Sequence, residues 1–307
     1  MADITATAGA SASAFTVRHR WLVPCFFVFL WSTGFIVAKF GLPYAPPLTF
    51  LLLRCLGVLL VLVPIVLIWG APWPHGRIKQ VALAGLLLQA GYLGGVWCAI
   101  KIGMPAGLAA LIVGMQPILT AVASPLIGER VRPRQWIGLL LGLGGVALVV
   151  GAKIELAGLS TPAILYCLFA LLSITAGTMV QRRYCPSFDL RTGTVIQFAA
   201  TVAALLPCAI VFEQLDPAFS NVVWTANFVG ALLWSIFALS IGAIFLLFTL
   251  IRRSNAAEVT SLLYLTPPTT AVMAWLLFGE SLSPLGLLGM AVAVTGVAFV
   301  VKKKELP

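Results

Sequence analysis

Apolar runs and short polar interruptions alternate from one end of the chain to the other. Ten runs of roughly 18 to 25 residues, each long enough for a hydrocarbon core of ~30 Å at 1.5 Å per residue, fall at about 21–40, 47–70, 78–100, 105–127, 134–151, 159–180, 190–212, 225–250, 256–278 and 284–301. They are too long for barrel strands and lack a period-two alternation. The pattern therefore predicts an all-α integral membrane protein with ten transmembrane helices. Residues 1–20 read as a flexible tail and residues 302–307 as a short basic one. The run after Arg18 and Arg20 exceeds the apolar core of a signal peptide, and no A-x-A site follows it, so the first helix is expected to stay in the protein.

One stretch of this pattern occurs twice. Residues 106–150, AGLAALIVGMQPILTAVASPLIGERVRPRQWIGLLLGLGGVALVV, are matched by 256–301, AAEVTSLLYLTPPTTAVMAWLLFGESLSPLGLLGMAVAVTGVAFVV. Pro117, Thr120 and Ala121 pair with Pro267, Thr270 and Ala271 at a spacing of 150. After one inserted residue Gly128, Glu129, Pro133, Gly138 and Gly145 pair with Gly279, Glu280, Pro284, Gly289 and Gly296. An apolar composition does not favour Pro, Glu and Gly, so the match marks a duplicated unit. Each copy fills two helices, the fourth and fifth or the ninth and tenth, so the whole repeat is five helices long, at 21–151 and 159–301. Five is odd. The second repeat must enter the membrane from the opposite side, giving two inverted five-helix repeats about a pseudo-two-fold axis in the membrane plane.

Composition and charge sharpen the class and the orientation. With 61% hydrophobic and 9% charged residues, and a mean hydropathy of +1.07, most of the chain has no polar face for water. Under ten spans, fifteen of the 19 Lys and Arg fall on the side of the N-terminus and only Lys39, Lys101 and Lys153 on the other, with Arg54 inside a helix. The positive-inside rule then places both the N and C termini in the cytoplasm. The net charge of +10 is a topology signal, so no nucleic-acid partner is expected. None of the six cysteines forms a C-x-x-C pair, and their expected role is small apolar packing.

The duplicated features, Pro117, Gly128-Glu129, Gly138 and Gly145 against Pro267, Gly279-Glu280, Gly289 and Gly296, resemble the tandem EamA domains of the drug/metabolite transporter superfamily. The Arg inside the second helix, in PLTFLLLRCLGVLL, is similar to that family too. The resemblance spans roughly residues 21–301 and looks closest to the bacterial aromatic amino-acid exporter type. It implies an inner-membrane exporter with a central cavity lined mainly by helices 1, 3, 4, 6, 8 and 9, and with helices 5 and 10 packed outside it.

Candidate chemistry lies at mid-span. Pro117 and Pro267 are expected within helices, where proline removes an i→i−4 bond and kinks the chain, leaving a carbonyl that must find a partner in the membrane. Two roles fit: a hinge or carbonyl site facing the cavity, or a static kink that shapes the bundle. Arg54 is the only charged residue well inside a span, at a cost of ~3 kcal/mol near the bilayer centre. Either a substrate carboxylate pairs with it bidentately, or helix carbonyls hold it as a structural clamp. Gly85, Gln89 and Tyr92 fall at helical spacing on one face of helix 3. With Trp31, Gln116, Gln197, Trp234 and Tyr264, Gln89 and Tyr92 make the expected cavity lining, although a buried Gln serves equally as interhelical glue. Ser32, Ser240 and Thr266 accompany them. The glycines of helices 5 and 10 let helices approach closely, with packing inside a monomer preferred and a dimer the alternative. Glu129 and Glu280 read as turn-forming or capping acids.

All nine acidic residues fall in loops, tails or end turns, and no Walker motif or metal-ligating cluster is present, so no cofactor is expected. The expected function is alternating-access export of amino acids, aromatic ones included, and related small metabolites, by facilitated diffusion or exchange. Proton coupling through Glu258 is the alternative within that class. An intramembrane lipid-modifying enzyme is the alternative outside it, and would need clustered acids, His or metal ligands at membrane depth.

Overall fold

Proline and glycine decide where these apolar runs stop and how closely they pack. The computed structural model describes residues 22–34, 36–37, 40–74, 76–104, 109, 112–151, 160–185, 189–253, 256–278 and 283–301. Both expected tails, Lys39, His75, Lys153, Gly279 and Glu280 lie outside the described residues. Every regular element among the described residues is helical. In the first half these are α1 (Leu22–Gly34), α2 (Pro47–Ile68), α3 (Ile78–Lys101), α4 (Gln116–Ile127) and α5 (Pro133–Gly151). The second half has α6 (Thr161–Tyr184), α7 (Leu190–Glu213), α8, α9 and α10 (Pro284–Val301). α8 runs through Ala226–Trp234, Ser235–Ala243 and Ile244–Arg253, and α9 through Ala256–Ser261, Leu262–Leu265 and Thr266–Phe278. Five stretches, in α2, α3, α6, α7 and α8, are long and apolar enough to cross a membrane alone; α1, α4 and α10 are shorter apolar helices.

Proline opens α2, α5 and α10 at positions where its missing N–H is no loss. α7 starts on Asp189, which accepts from Arg191 N at 2.8 Å, and α8 on Thr225, which accepts from Phe228 N at 3.2 Å. Residue Pro46 gives α2 no side-chain cap of its own. Glu213, at the far end of α7, supplies one: its carboxylate accepts from Leu48 N at 2.8 Å, Thr49 N at 2.7 Å and Thr49 Oγ1 at 2.8 Å.

Two helices are unwound at corresponding places. α3 contains a nine-residue π-helical segment, Leu86–Gly94, and α8 another of nine residues, Ser235–Ala243, so the fold sets the same irregularity into both halves. The expected kinks at Pro117 and Pro267 are corrected to breaks. Gly114 and Met115 form a turn, and α4 begins at Gln116 with Pro117 in its first turn. In α9 a 3₁₀ turn, Leu262–Leu265, precedes a helix whose second residue is Pro267. Proline is tolerated in a first turn and not in a helix interior, so each helix restarts at its proline. The carbonyl that Pro267 would orphan, Leu263 O, accepts the Thr266 N–H.

The packing is unchanged when the halves are exchanged. α2 packs on α7, α5 on α10 and α4 on α9; α3 meets α7 as α8 meets α2, and α4 meets α6 as α9 meets α1. The α5–α10 seam shows the operator directly. A β-carbon on Gly138 would stand 2.5 Å from Gly296 O, and one on Gly145 would stand 2.6 Å from Gly289 O. Since Gly138 corresponds to Gly289 and Gly145 to Gly296, the pairing is reciprocal and antiparallel, as a two-fold axis perpendicular to both helices requires. These glycines are spent on contact within the chain.

Candidate substrate cavity

Where α1, α3, α4, α6, α8 and α9 converge they leave two adjoining spaces of about 100 Å³ and 50 Å³, which share Trp31, Tyr92 and Gln116 in their walls. A water needs ~10–15 Å³ on this measure, so the space suits a small metabolite. α2 contributes Arg54 to the larger space and α5 contributes Val146 to the smaller, two additions to the six expected helices.

Arg54 is 6% exposed, and its Nε donates to Ser240 Oγ at 2.5 Å across the two halves. Ser240 can accept because its own proton goes to Ser235 O at 2.8 Å, the i to i−5 partner that a π turn brings into reach. Nε therefore acts as a clamp. The two terminal nitrogens have no acidic partner among the described residues, and the residue borders the larger space. The acceptor of this clamp is a serine hydroxyl on α8, where helix carbonyls were expected.

The other candidates separate by place. Trp31, Gln89 and Tyr92 line the larger space, with the Trp31 ring 5.3 Å from that of Phe27 and tilted by 47° to it. Gln116 lines both spaces; its Nε2 donates to Thr178 Oγ1 at 3.2 Å, while its Oε1 is buried without a partner. Tyr264, Thr266, Pro117 and Pro267 line the smaller space, and the hydroxyls of Tyr264 and Thr266 are buried without partners too. The remaining two expected lining residues lie elsewhere. Gln197 is fully buried and donates from Nε2 to Gln181 Oε1 at 2.7 Å, so it joins α7 to α6. Trp234 is 44% exposed, donates to Thr33 Oγ1 at 2.8 Å and borders an outer crevice between α1, α8 and α9. Gly85 also leaves the cavity face: the wider π turns that follow it put Gln89 and Tyr92 on the cavity while Gly85 packs on Gln197.

Two polar contacts, one beside the cavity and one at the start of α2, were missed in the sequence. Thr178, which orients Gln116, has no motif around it. Glu213 was placed with the loop acids, although two prolines at the start of α2 already signalled an uncapped N-terminus. Glu129 pairs with Arg182 of α6 at 2.6 Å, tying α4 to α6, where a turn-forming or capping acid was expected.

The fold and the cavity together define a class: a helical membrane protein of two related halves, with a small polar-tipped space where their broken helices meet. A sequence profile of the EamA-like transporter family matches the chain twice, at residues 22–151 and 161–302. The chain is 30% identical over 296 residues to the uncharacterized transporter YvbV of Bacillus subtilis, covering 92% of each. It is 29% identical over 296 residues to the uncharacterized inner membrane transporter YedA of Escherichia coli, covering 94% of each. A probable amino-acid metabolite efflux pump of Salmonella typhimurium is 26% identical over 277 residues, 88% of this chain and 90% of that one. One crystal structure superposes with a TM-score of 0.74 over 91% of this chain and 94% of that one, at 22% identity, a likeness of fold. The chain belongs to the EamA-like transporter family. It is a membrane transporter, not an enzyme.

Proposed function

We propose that the protein exports amino acids, aromatic ones included, and related small metabolites across the cell inner membrane by alternating access. In this reading ten helices cross the bilayer as two inverted repeats with both termini in the cytoplasm, and the central cavity is exposed to each side in turn. The carrying observation is Arg54. A guanidinium held at Nε and open at its terminal nitrogens presents a ready bidentate site to a carboxylate. Burial without a neutralising acid is costly, so an anionic group on the ligand is the natural counter-ion. The relative named as an amino-acid metabolite efflux pump supports the substrate class, and the one named as an inner membrane transporter supports the location. Facilitated diffusion or exchange fits the placement of the acids in loops, tails and end turns.

Purified protein in liposomes is expected to move radiolabelled phenylalanine without an imposed proton gradient. Arg54→Gln is expected to lower that flux by about 100-fold, the loss of a bidentate hydrogen bond to a charged partner. Arg54→Lys, which keeps the charge and loses the fork, restores little of it. Flux that vanishes without a pH gradient refutes the facilitator, and wild-type flux in Arg54→Gln refutes the carboxylate site.

A further inference from the structure

The cavity has a second polar end made of oxygens. Gln116 Oε1, Thr266 Oγ1 and Tyr264 OH are each buried without a hydrogen-bond partner, and the three residues line the same space. The Gln116 amide has its orientation fixed. Thr178 has one hydroxyl proton and gives it to Ile174 O at 2.8 Å, so toward Gln116 it can only accept; it holds Nε2 and leaves Oε1 outward. Tyr264 is held as well, because its ring packs so closely against Gly142 that a β-carbon there would run into Cδ2 and Cε2.

Gln116 and Thr266 are counterparts in the repeat. Each precedes a matched proline, and each is the first residue of the helical segment after the break. The two halves thus bring an oxygen each to the axis, and Tyr264 adds a third. Buried polar groups without partners are unfavourable; Gln116 Oε1 only accepts and both hydroxyls can accept, so a ligand group that offers several N–H donors at once suits all three. An ammonium offers three. Arg54 lines the adjoining space, so a cation and a set of acceptors complement in kind the two charges of a zwitterion. We propose that Gln116 Oε1, Thr266 Oγ1 and Tyr264 OH form a subsite for the protonated α-amino group of an amino acid whose carboxylate lies at Arg54. This subsite rests on the amino-acid reading above.

The test is competition against radiolabelled phenylalanine uptake by the full-length protein in liposomes, using unlabelled phenylalanine and 3-phenylpropionate, which keeps the carboxylate and lacks the amine. The wild type is expected to prefer phenylalanine by at least about tenfold, the scale of one hydrogen bond to a charged group. Gln116→Leu and Thr266→Val are expected to erase most of that preference by weakening phenylalanine while leaving 3-phenylpropionate unchanged. Tyr264→Phe removes one oxygen and is expected to reduce it in part. Thr266→Val and Tyr264→Phe keep the side-chain shape, so the readout does not hang on the folding of Gln116→Leu. A preference unchanged in the variants, or both ligands weakened equally, overturns the subsite and leaves the amino-acid reading standing. No saturable phenylalanine uptake by the wild type overturns both.

Discussion

Two helix pairs meet their own counterparts at the two-fold axis, and they do so in opposite ways. α5 and α10 are unbroken, and glycines bring their backbones into contact at Gly138 with Gly296 and at Gly145 with Gly289. α4 and α9 are broken at their prolines, and on them the side-chain oxygens of Gln116, Thr120, Tyr264 and Thr266 are buried without a partner. The first pair closes its shared seam backbone to backbone, whereas the second leaves polar atoms and space open between its members. The same symmetry thus serves stability in one place and a ligand in the other. Repetition in the sequence follows the first demand more closely, because backbone contact tolerates only glycine, while a cavity accepts Gln116 in one half and Thr266 in the other.

The largest expected effect lies at the glycine seam. Gly296→Val places a branched side chain against Gly142 N and Gly138 O, which are backbone atoms that cannot swing aside. The expected loss is about 3 kcal/mol or more, at the upper end for overpacked sites. Fluorescence-detected size exclusion after heating would show it as a collapse of the folded peak. A Gly296→Val protein that melts like the wild type would break the claim that this seam carries the fold.

Gly142→Ala tests the border between the two regions. Gly142 faces Gly296 on one side and the Tyr264 ring on the other, and an added methyl runs into the ring. A modest stability loss of about 1 kcal/mol is expected. Phenylalanine uptake is expected to fall further than melting predicts, because Tyr264 is pushed from its bed toward the cavity. Uptake falling only in step with the folded fraction would mean that the seam and the cavity are mechanically separate.

The helices were readable because each boundary has a local cause. Proline opens α2, α5 and α10, and the expected and observed limits of these three rods nearly coincide. Reciprocal glycine contacts likewise follow from paired spacings. What escaped the sequence was the local winding. Gly85, Gln89 and Tyr92 share a face only if a turn holds 3.6 residues, and the π segment from Leu86 changes that count. Pro117 and Pro267 were expected to kink helices, whereas the segments restart at them, with Met115 and a 3₁₀ turn absorbing the change. Partners were the other gap: nothing near Gln197 in sequence names Gln181, and nothing near Arg54 names Ser240, because both bonds cross between helices.

The smallest expected effect is at Trp234, and it bears on where the ligand path runs. Trp31 and Trp234 look alike in the sequence, each an indole deep in an apolar run. Trp31 borders both inner spaces, and Trp31→Ala is expected to cut phenylalanine uptake by about tenfold through lost aromatic contact. Trp234 faces outward, its Nε1 on Thr33 Oγ1 and its ring over a crevice of about 560 Å³ that is walled by Phe29, Val37 and Leu277. Its removal costs one hydrogen bond at the rim, whose net worth is about 1 kcal/mol. Uptake by Trp234→Ala is therefore expected to stay within about twofold of the wild type. Losing as much uptake as Trp31→Ala, with melting unchanged, would put the outer crevice on the transport path, and ligand would then enter between α1, α8 and α9 from the lipid side, away from the cavity that the broken helices enclose.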